Sequence, residues 1–165
     1  MKRIWIMVLA IVLVSGMVSA QSISNDKDVK TLSIPNDGRA KAGLLLGYPS
    51  GVTFGYRMSN WFEFNINAGY DFIGTNSPIV GGNALFTLVN IPIGDAGVIP
   101  LSLGPQVTFV FGKDFYIDTV ADIRLEYTFG DIPLNLFIES GFGFRIFNNG
   151  DWWAYNGGIG IRYVF

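Results

Sequence analysis

The chain of 165 residues contains no cysteine and no histidine. Without cysteine there is no disulfide framework, no thiolate metal site and no lipid-attachment residue after a signal sequence, which argues against a lipoprotein. Without histidine the chain lacks the usual general base and the commonest ligand of a zinc or copper site. A net charge of −2 gives no electrostatic case for binding nucleic acid. We therefore expect no catalytic residue, no metal site, no cofactor and no nucleic-acid partner, and we predict that the protein is not an enzyme.

Residues 1–20 have the three parts of a secretory signal peptide. Lys2 and Arg3 form a basic start, residues 4–14 are apolar, and small residues precede a cleavage point at Gln21. The apolar run is shorter than the roughly 20 residues that cross a bilayer, so an uncleaved membrane anchor is the less favoured alternative. The sequence thus predicts an exported protein.

Residues 21–40 are polar and show no sustained period, which predicts a mobile periplasmic leader with a possible short strand near residues 31–34. Beyond the signal no apolar run approaches the length of a membrane helix, although 50% of the chain is hydrophobic. That combination is typical of a transmembrane barrel, whose apolar residues occupy alternate positions.

From Lys41 onward, apolar residues alternate with polar or small ones, which is the period of a β-strand. Eight such segments follow one another, joined by connections of hairpin length. The fourth places Asn83, Leu85, Thr87 and Val89 on one face, and Pro105 in the fifth predicts a bulge or kink because it cannot donate to the ladder. We predict an all-β fold, an eight-stranded antiparallel up-and-down transmembrane barrel, over residues 41–165.

Charged side chains keep to the less oily face of their strands: Arg57, Glu63, Asp71, Asp118, Asp122, Arg124, Glu126, Glu139, Arg145 and Arg162. A soluble barrel would turn this face outward and a membrane barrel would turn it inward, so the period alone does not decide. An eight-stranded barrel has room only for its own side chains, and the charged face is interleaved with glycine, which suits a narrow interior. We therefore predict that these residues form a charge network in the lumen.

Aromatic residues gather near the predicted strand ends, as the two interfacial belts of a membrane barrel require. The predicted belt residues are Tyr48, Trp61, Phe72, Phe129, Trp152, Trp153 and Phe165. The pair Trp152 and Trp153 has an alternative role as a ligand platform, but an interfacial anchor is the favoured interpretation.

The spacing of Asp118, Asp122, Arg124 and Glu126 puts them on one strand face, where a carboxylate pair for acid chemistry or a Ca²⁺ site is conceivable. The favoured interpretation is structural. Buried charges are tolerated only when they are paired, and Arg57, Arg145 and Arg162 are the expected partners.

The last strand, Gly157 to Phe165, alternates oily and small residues and ends on phenylalanine. In this feature the chain resembles the small OmpA-like and OmpX-like bacterial outer-membrane barrels. It is more closely similar to a spirochaetal outer-membrane barrel protein family. The segments that carry this similarity are Gly47–Val52, Asn65–Phe72, Arg124–Tyr127, Asp131–Leu134 and Gly158–Tyr163.

The resemblance implies a location in the bacterial outer membrane, contact with outer-membrane lipid, and recognition of the C-terminal strand by the barrel-insertion machinery. Some members of the similar family are implicated in surface exposure and host-protein binding. We expect a structural or passive small-solute transport role, with both termini periplasmic. The alternatives are a surface-exposed barrel that binds host or envelope components and, less favoured, a soluble periplasmic lipid-binding barrel with inverted faces.

Overall fold

The computed structural model describes residues 40–72, 74–94, 97–113, 115–147 and 152–165. They form eight strands: β1 (Ala40–Tyr48), β2 (Ser50–Ser59), β3 (Phe62–Asp71), β4 (Ser77–Pro92), β5 (Val98–Val110), β6 (Tyr116–Thr128), β7 (Leu134–Ile146) and β8 (Trp153–Val164). The predicted signal peptide, residues 1–20, and all but the last residue of the predicted leader, residues 21–40, lie outside the described residues. The described part of the chain contains no helix long and apolar enough to cross a membrane.

The eight strands close into an antiparallel barrel in which each strand pairs with its neighbours in sequence. The closure joins β1 to β8 in a register that runs from Lys41↔Val164 to Tyr48↔Gly157. The predicted fold, an all-β up-and-down barrel sealed by its last strand, is therefore confirmed.

The barrel has two different ends. The terminal end carries the start of β1 and the end of β8, where the backbone N–H of Phe165 donates to the carbonyl of Ala40 at 2.9 Å. The opposite end, called here the far end, carries the β1–β2, β3–β4, β5–β6 and β7–β8 connections. Only Pro49 separates β1 from β2 there.

The wall turns its charged face inward and its oily face outward. On β8, Arg162 is 0% exposed, whereas its neighbours Ile161 and Tyr163 are 45% and 49% exposed. On β6, Arg124 is buried and the adjacent Ile123 is exposed. Alternation along each strand explains the two faces, and the closure of the barrel gives one of them to the lumen.

The predicted inner position of Val89 is wrong, and Pro105 causes no bulge. A register shift between Thr87 and Val89 leaves both Leu88 and Val89 exposed, so Val89 does not share the inner face with Thr87. An extra residue in one strand explains this, because it reverses the alternation beyond it. Pro105 produces no such shift, since the β4–β5 ladder keeps one register from Asn83↔Gln106 to Phe86↔Leu103.

Candidate functional site

The terminal half of the lumen contains a group of paired charges that we call the ionic cluster: Lys41, Arg57, Glu63, Arg124, Glu126, Glu139 and Arg162. At its centre, Glu63 and Glu126 share cations. The Lys41 ammonium donates to Glu63 at 2.7 Å and to Glu126 at 2.8 Å. The Arg57 guanidinium donates to Glu63 at 2.9 Å and also binds Glu126. Each partner is nearly fully buried, and burial of a charge is tolerable only with such compensation.

Arg162 has four hydrogen-bond partners in this cluster. It donates to Glu63 at 3.1 Å, Asn65 at 2.7 Å, Glu126 at 2.7 Å and Asn135 at 2.9 Å. Glu63 and Asn65 lie on β3, which β1 and β2 separate from β8 in the barrel. This one side chain therefore connects strands that are distant in sequence. The guanidinium group provides the several fixed donors that such a junction needs.

Phe137 places an aromatic ring among these charges. The guanidinium carbons of Arg124 and Arg162 lie 4.6 and 4.5 Å from the ring centroid, within the range of cation–π attraction. Arg124 also pairs with Glu139. A Cβ atom added at Gly160 would fall on the Phe137 ring, so the glycine of β8 leaves the space that the ring occupies.

An amide layer lies next to the ionic cluster in the middle of the lumen and consists of Asn65, Asn83, Gln106, Asn156 and Asp122. The Asp122 carboxylate accepts hydrogen bonds from Asn83 at 2.9 Å and from Asn156 at 3.2 Å. Asn65 donates to Asn83, and Asn156 donates to Gln106 at 2.7 Å. Among the described residues, Asp122 forms no ion pair with a lysine or arginine, so amide groups replace the predicted arginine partner.

The far end of the lumen is closed by a different device, a plug of the buried side chains Tyr48, Ile79, Val110 and Tyr116. Arg145 pairs with Asp118 at 2.8 Å, and its guanidinium carbon lies 3.9 Å from the centre of the Tyr116 ring. The Tyr48 hydroxyl donates to Asp118 at 3.3 Å. Aromatic and aliphatic packing therefore closes this end among the described residues, with the Arg145–Asp118 ion pair beside it.

The ten predicted lumen charges all lie on the inner side of the wall, in several groups. Six belong to the ionic cluster, namely Arg57, Glu63, Arg124, Glu126, Glu139 and Arg162. Asp118 and Arg145 pair at the far end, and Asp122 lies in the amide layer. Asp71, at the end of β3, accepts hydrogen bonds from the backbone N–H groups of Gly74 and Thr75 at 2.7 and 2.6 Å.

Lys41 was missed as a member of the ionic cluster. It is the second residue of β1 and is 3% exposed, with its register partner Gly55 on β2. The available signal was the alternation of Lys41 and Gly43, which continues the small or charged face of the neighbouring strands. A lysine at a strand start is easily taken for a solvated residue, and only closure against β8 makes it internal.

Most of the predicted belt residues are exposed, and their position at a membrane interface stays a prediction. Trp61, Phe72, Trp152, Trp153 and Phe165 are all exposed on the outer surface near strand ends. Phe129 is half-buried with its ring edge-on to Tyr127, 4.9 Å between centroids. The assignment of Tyr48 is wrong, because its ring belongs to the far-end plug and is 9% exposed. Gly47, the residue before it, has a positive φ of 149°.

The described residues contain no group of three or more histidine, cysteine, aspartate and glutamate side chains that could hold a metal ion. No family model, no curated protein and no solved structure matches this chain. Its architecture, an eight-stranded closed antiparallel barrel in up-and-down order, is compatible with that of outer-membrane barrel proteins.

Proposed function

We propose that this protein is an integral outer-membrane barrel with a structural role and with both chain ends on the periplasmic side. The observation that carries the proposal is the inversion of the barrel. Ionic and amide side chains fill the lumen, while large apolar side chains such as Leu46, Phe142 and Ile159 are 71%, 60% and 63% exposed on its outer surface.

Water is a poor solvent for this outer surface. Monomeric soluble proteins rarely expose contiguous apolar patches larger than a few hundred Å². Here every strand contributes exposed apolar residues, so the oily surface runs around the whole barrel. A hydrocarbon layer would cover such a band, and the strands of 9 to 16 residues are long enough to cross it when tilted.

Aromatic residues mark both ends of this oily band, as an interfacial position requires. At the terminal end Trp61 stacks on Phe86, and Tyr163 lies edge-on to Phe165. At the far end the ring clusters join Tyr70 to Phe72, Phe111 to Phe115, and Trp152 and Trp153 to Phe142 and Phe144. The two belts support a position of the barrel across a membrane, with outer-membrane lipid as its principal partner.

The location is tested by washing the envelope fraction with carbonate and by comparing the gel mobility of heated and unheated protein. We expect retention in the membrane pellet and a heat-dependent shift in mobility. Release into the soluble fraction with no shift would favour a soluble periplasmic lipid-binding barrel instead. That alternative requires an apolar interior, whereas the side chains that fill the middle of this lumen are charges and amides.

A structural role is favoured over passive solute transport because the lumen is filled. The ionic cluster occupies its terminal half, and the plug of Tyr48, Ile79, Val110 and Tyr116 closes the far end. Solute passage would need both to rearrange. We expect refolded protein in a planar bilayer to show no channel events under conditions in which a wide porin conducts. Reproducible conductance steps would overturn the structural role in favour of transport.

The finer predictions from the resemblance remain proposals. These are the relation to OmpA-like, OmpX-like and spirochaetal barrels, recognition of β8 by the insertion machinery, and surface exposure with binding of host or envelope components. The Trp152 and Trp153 rings stack on Phe142 and Phe144 of the wall, which favours a role as an interfacial anchor over a ligand platform. We propose no catalytic role.

A further inference from the structure

One patch of the lumen wall brings together oxygen atoms from three neighbouring strands. Gly141 of β7 is the register partner of Asp122 on β6 and of Asn156 on β8. Glu139 precedes Gly141 by two residues and therefore shares its inner face. Asp122, Glu139 and Asn156 are therefore neighbours of Gly141 on the inner face of the wall. Gly141 has no side chain, so only its backbone faces the lumen there.

Two oxygen atoms at this patch have no hydrogen-bond donor. They are the Asn156 Oδ1 and the Glu139 Oε1, and both are buried. Asn156 and Glu139 are 5% and 2% exposed. The other groups of both side chains are engaged, since the Asn156 amide N–H₂ donates to Asp122 and Gln106 and the second Glu139 oxygen binds Arg124. Arg124 Nη1, a donor of the side chain that pairs with Glu139, is also buried without a hydrogen-bond partner. A buried acceptor without a partner costs free energy, so a donor or a cation is the complement that both oxygens need.

The Asn156 oxygen is aimed into the patch. A Cβ atom added at Gly141 would meet Asn156 Oδ1 before any other atom, so this oxygen lies over the Gly141 backbone. Gly141 is the register partner of both Asp122 and Asn156. The amide nitrogen of Asn156 donates to the Asp122 carboxylate, and this hydrogen bond holds the Asn156 amide next to that carboxylate. Carboxylate and amide oxygens are the ligands that hard cations prefer.

The charges of the lumen are unevenly divided around this patch. Lys41, Arg57 and Arg162 all bind the two carboxylates Glu63 and Glu126, which leaves three cations on two anions. At the patch, Arg124 pairs with Glu139, interacts with Asp122 through its charge and lies 3.7 Å from Glu63, so three carboxylates share this one cation. The cations and carboxylates of the whole group are equal in number, but the cations gather at Glu63 and Glu126, so the patch is the locally negative part. A monovalent cation complements this local charge, whereas a divalent ion would exceed it and would find only two carboxylates.

We propose that Asp122, Glu139 and Asn156 bind one monovalent cation of the Na⁺ type inside the lumen. The site goes beyond the structural role and does not depend on it, because it is a property of the folded barrel in any environment. Its ligands come from β6, β7 and β8, so the site forms only in the folded barrel. Binding of the ion therefore stabilises the barrel against unfolding.

Thermal unfolding of the refolded protein in detergent micelles tests the site. The probe is Na⁺ alone, with NaCl exchanged for choline chloride at constant ionic strength, because choline is too large for a buried site. At a Na⁺ concentration ten times the dissociation constant, we expect the melting temperature to rise by about 5 °C. Equal melting temperatures in the two salts would overturn the proposal and leave a water molecule or a proton as the complement of these oxygens.

A matched pair of substitutions locates the effect. Asp122→Asn keeps an acceptor for one of the two amide donors and removes the negative charge, whereas Asp131→Asn changes an exposed aspartate at the β6–β7 connection. We expect Asp131→Asn to keep the Na⁺-dependent rise and Asp122→Asn to lose it. Equal sodium dependence in both variants would overturn the site.

Discussion

The two halves of the lumen are closed by opposite physical means. In the terminal half, buried charges stabilise one another, and Arg162 alone contacts Glu63, Asn65, Glu126 and Asn135. At the far end, the apolar bodies of Tyr48, Ile79, Val110 and Tyr116 pack together beside one ion pair. The stability of the ionic cluster therefore depends on the presence of each charged partner, whereas the stability of the plug depends on the volume of each side chain.

The largest effect is expected from Arg162→Leu, which leaves Glu63 and Glu126 with one cation fewer. We expect it to lower the free energy of unfolding by about 3 to 5 kcal/mol, measured by urea unfolding of the barrel in lipid vesicles. The matched change Arg145→Leu at the far end should cost only about 1 to 3 kcal/mol, because it removes one partner of Asp118. The Arg145 side chain is also 16% exposed, so water reaches this pair. Equal losses in the two variants would remove the distinction between the halves.

A methyl group added inside the ionic cluster is the next most severe change. Gly160→Ala places a Cβ atom on the Phe137 ring, which is held between Arg124 and Arg162, and should destabilise the barrel by about 1 to 3 kcal/mol. Gly157→Ala is the control on the same strand, because its Cβ would meet only the Glu139 carbonyl oxygen at 3.6 Å. The control should change the urea midpoint little, by the equivalent of about 0.5 kcal/mol at most. A harmless Gly160→Ala would mean that the ring can move.

The plug should respond to small losses of volume. Ile79 is 1% exposed, and Ile79→Val removes one buried methyl group at a cost of about 0.5 to 1.5 kcal/mol. Ile66→Val is the matched change on the outer face, where the side chain is 46% exposed and lipid or detergent fills the space. If the two variants unfold at the same urea concentration, the far end is less tightly packed than the plug requires.

The smallest effect is expected at the hydroxyl group of Tyr48. Its hydrogen bonds to Asp118 and Tyr116 are long, at 3.3 and 3.4 Å, so Tyr48→Phe should cost about 0.5 kcal/mol. Tyr155→Phe on the exposed outer surface is the control and should be neutral in the same urea experiment. A loss as large as that of Arg145→Leu would show that the plug relies on polar bonds as much as on packing.

Part of the site was predictable because strand alternation is a local property. The placement of Arg124, Glu139 and Arg162 on inner faces follows from their positions relative to neighbouring apolar residues, with no knowledge of the barrel. Lys41 and Tyr48 escaped the same reasoning because each lies at an end of β1, where alternation has too few neighbours to fix a face. The wrong placement of Val89 has a related cause, since one extra residue at a bulge reverses the pattern beyond it.

The sequence by itself determined the eight strands, their antiparallel order and the separation of charged from oily faces, because each depends on residues close together in the chain. The tertiary structure decided which charges meet. Arg162 and Glu63 are 99 residues apart, and only the pairing of β8 with β1 brings them into contact at 3.1 Å. It also decided which face is internal, since the same alternation serves a barrel turned either way and only closure gives one face to the lumen.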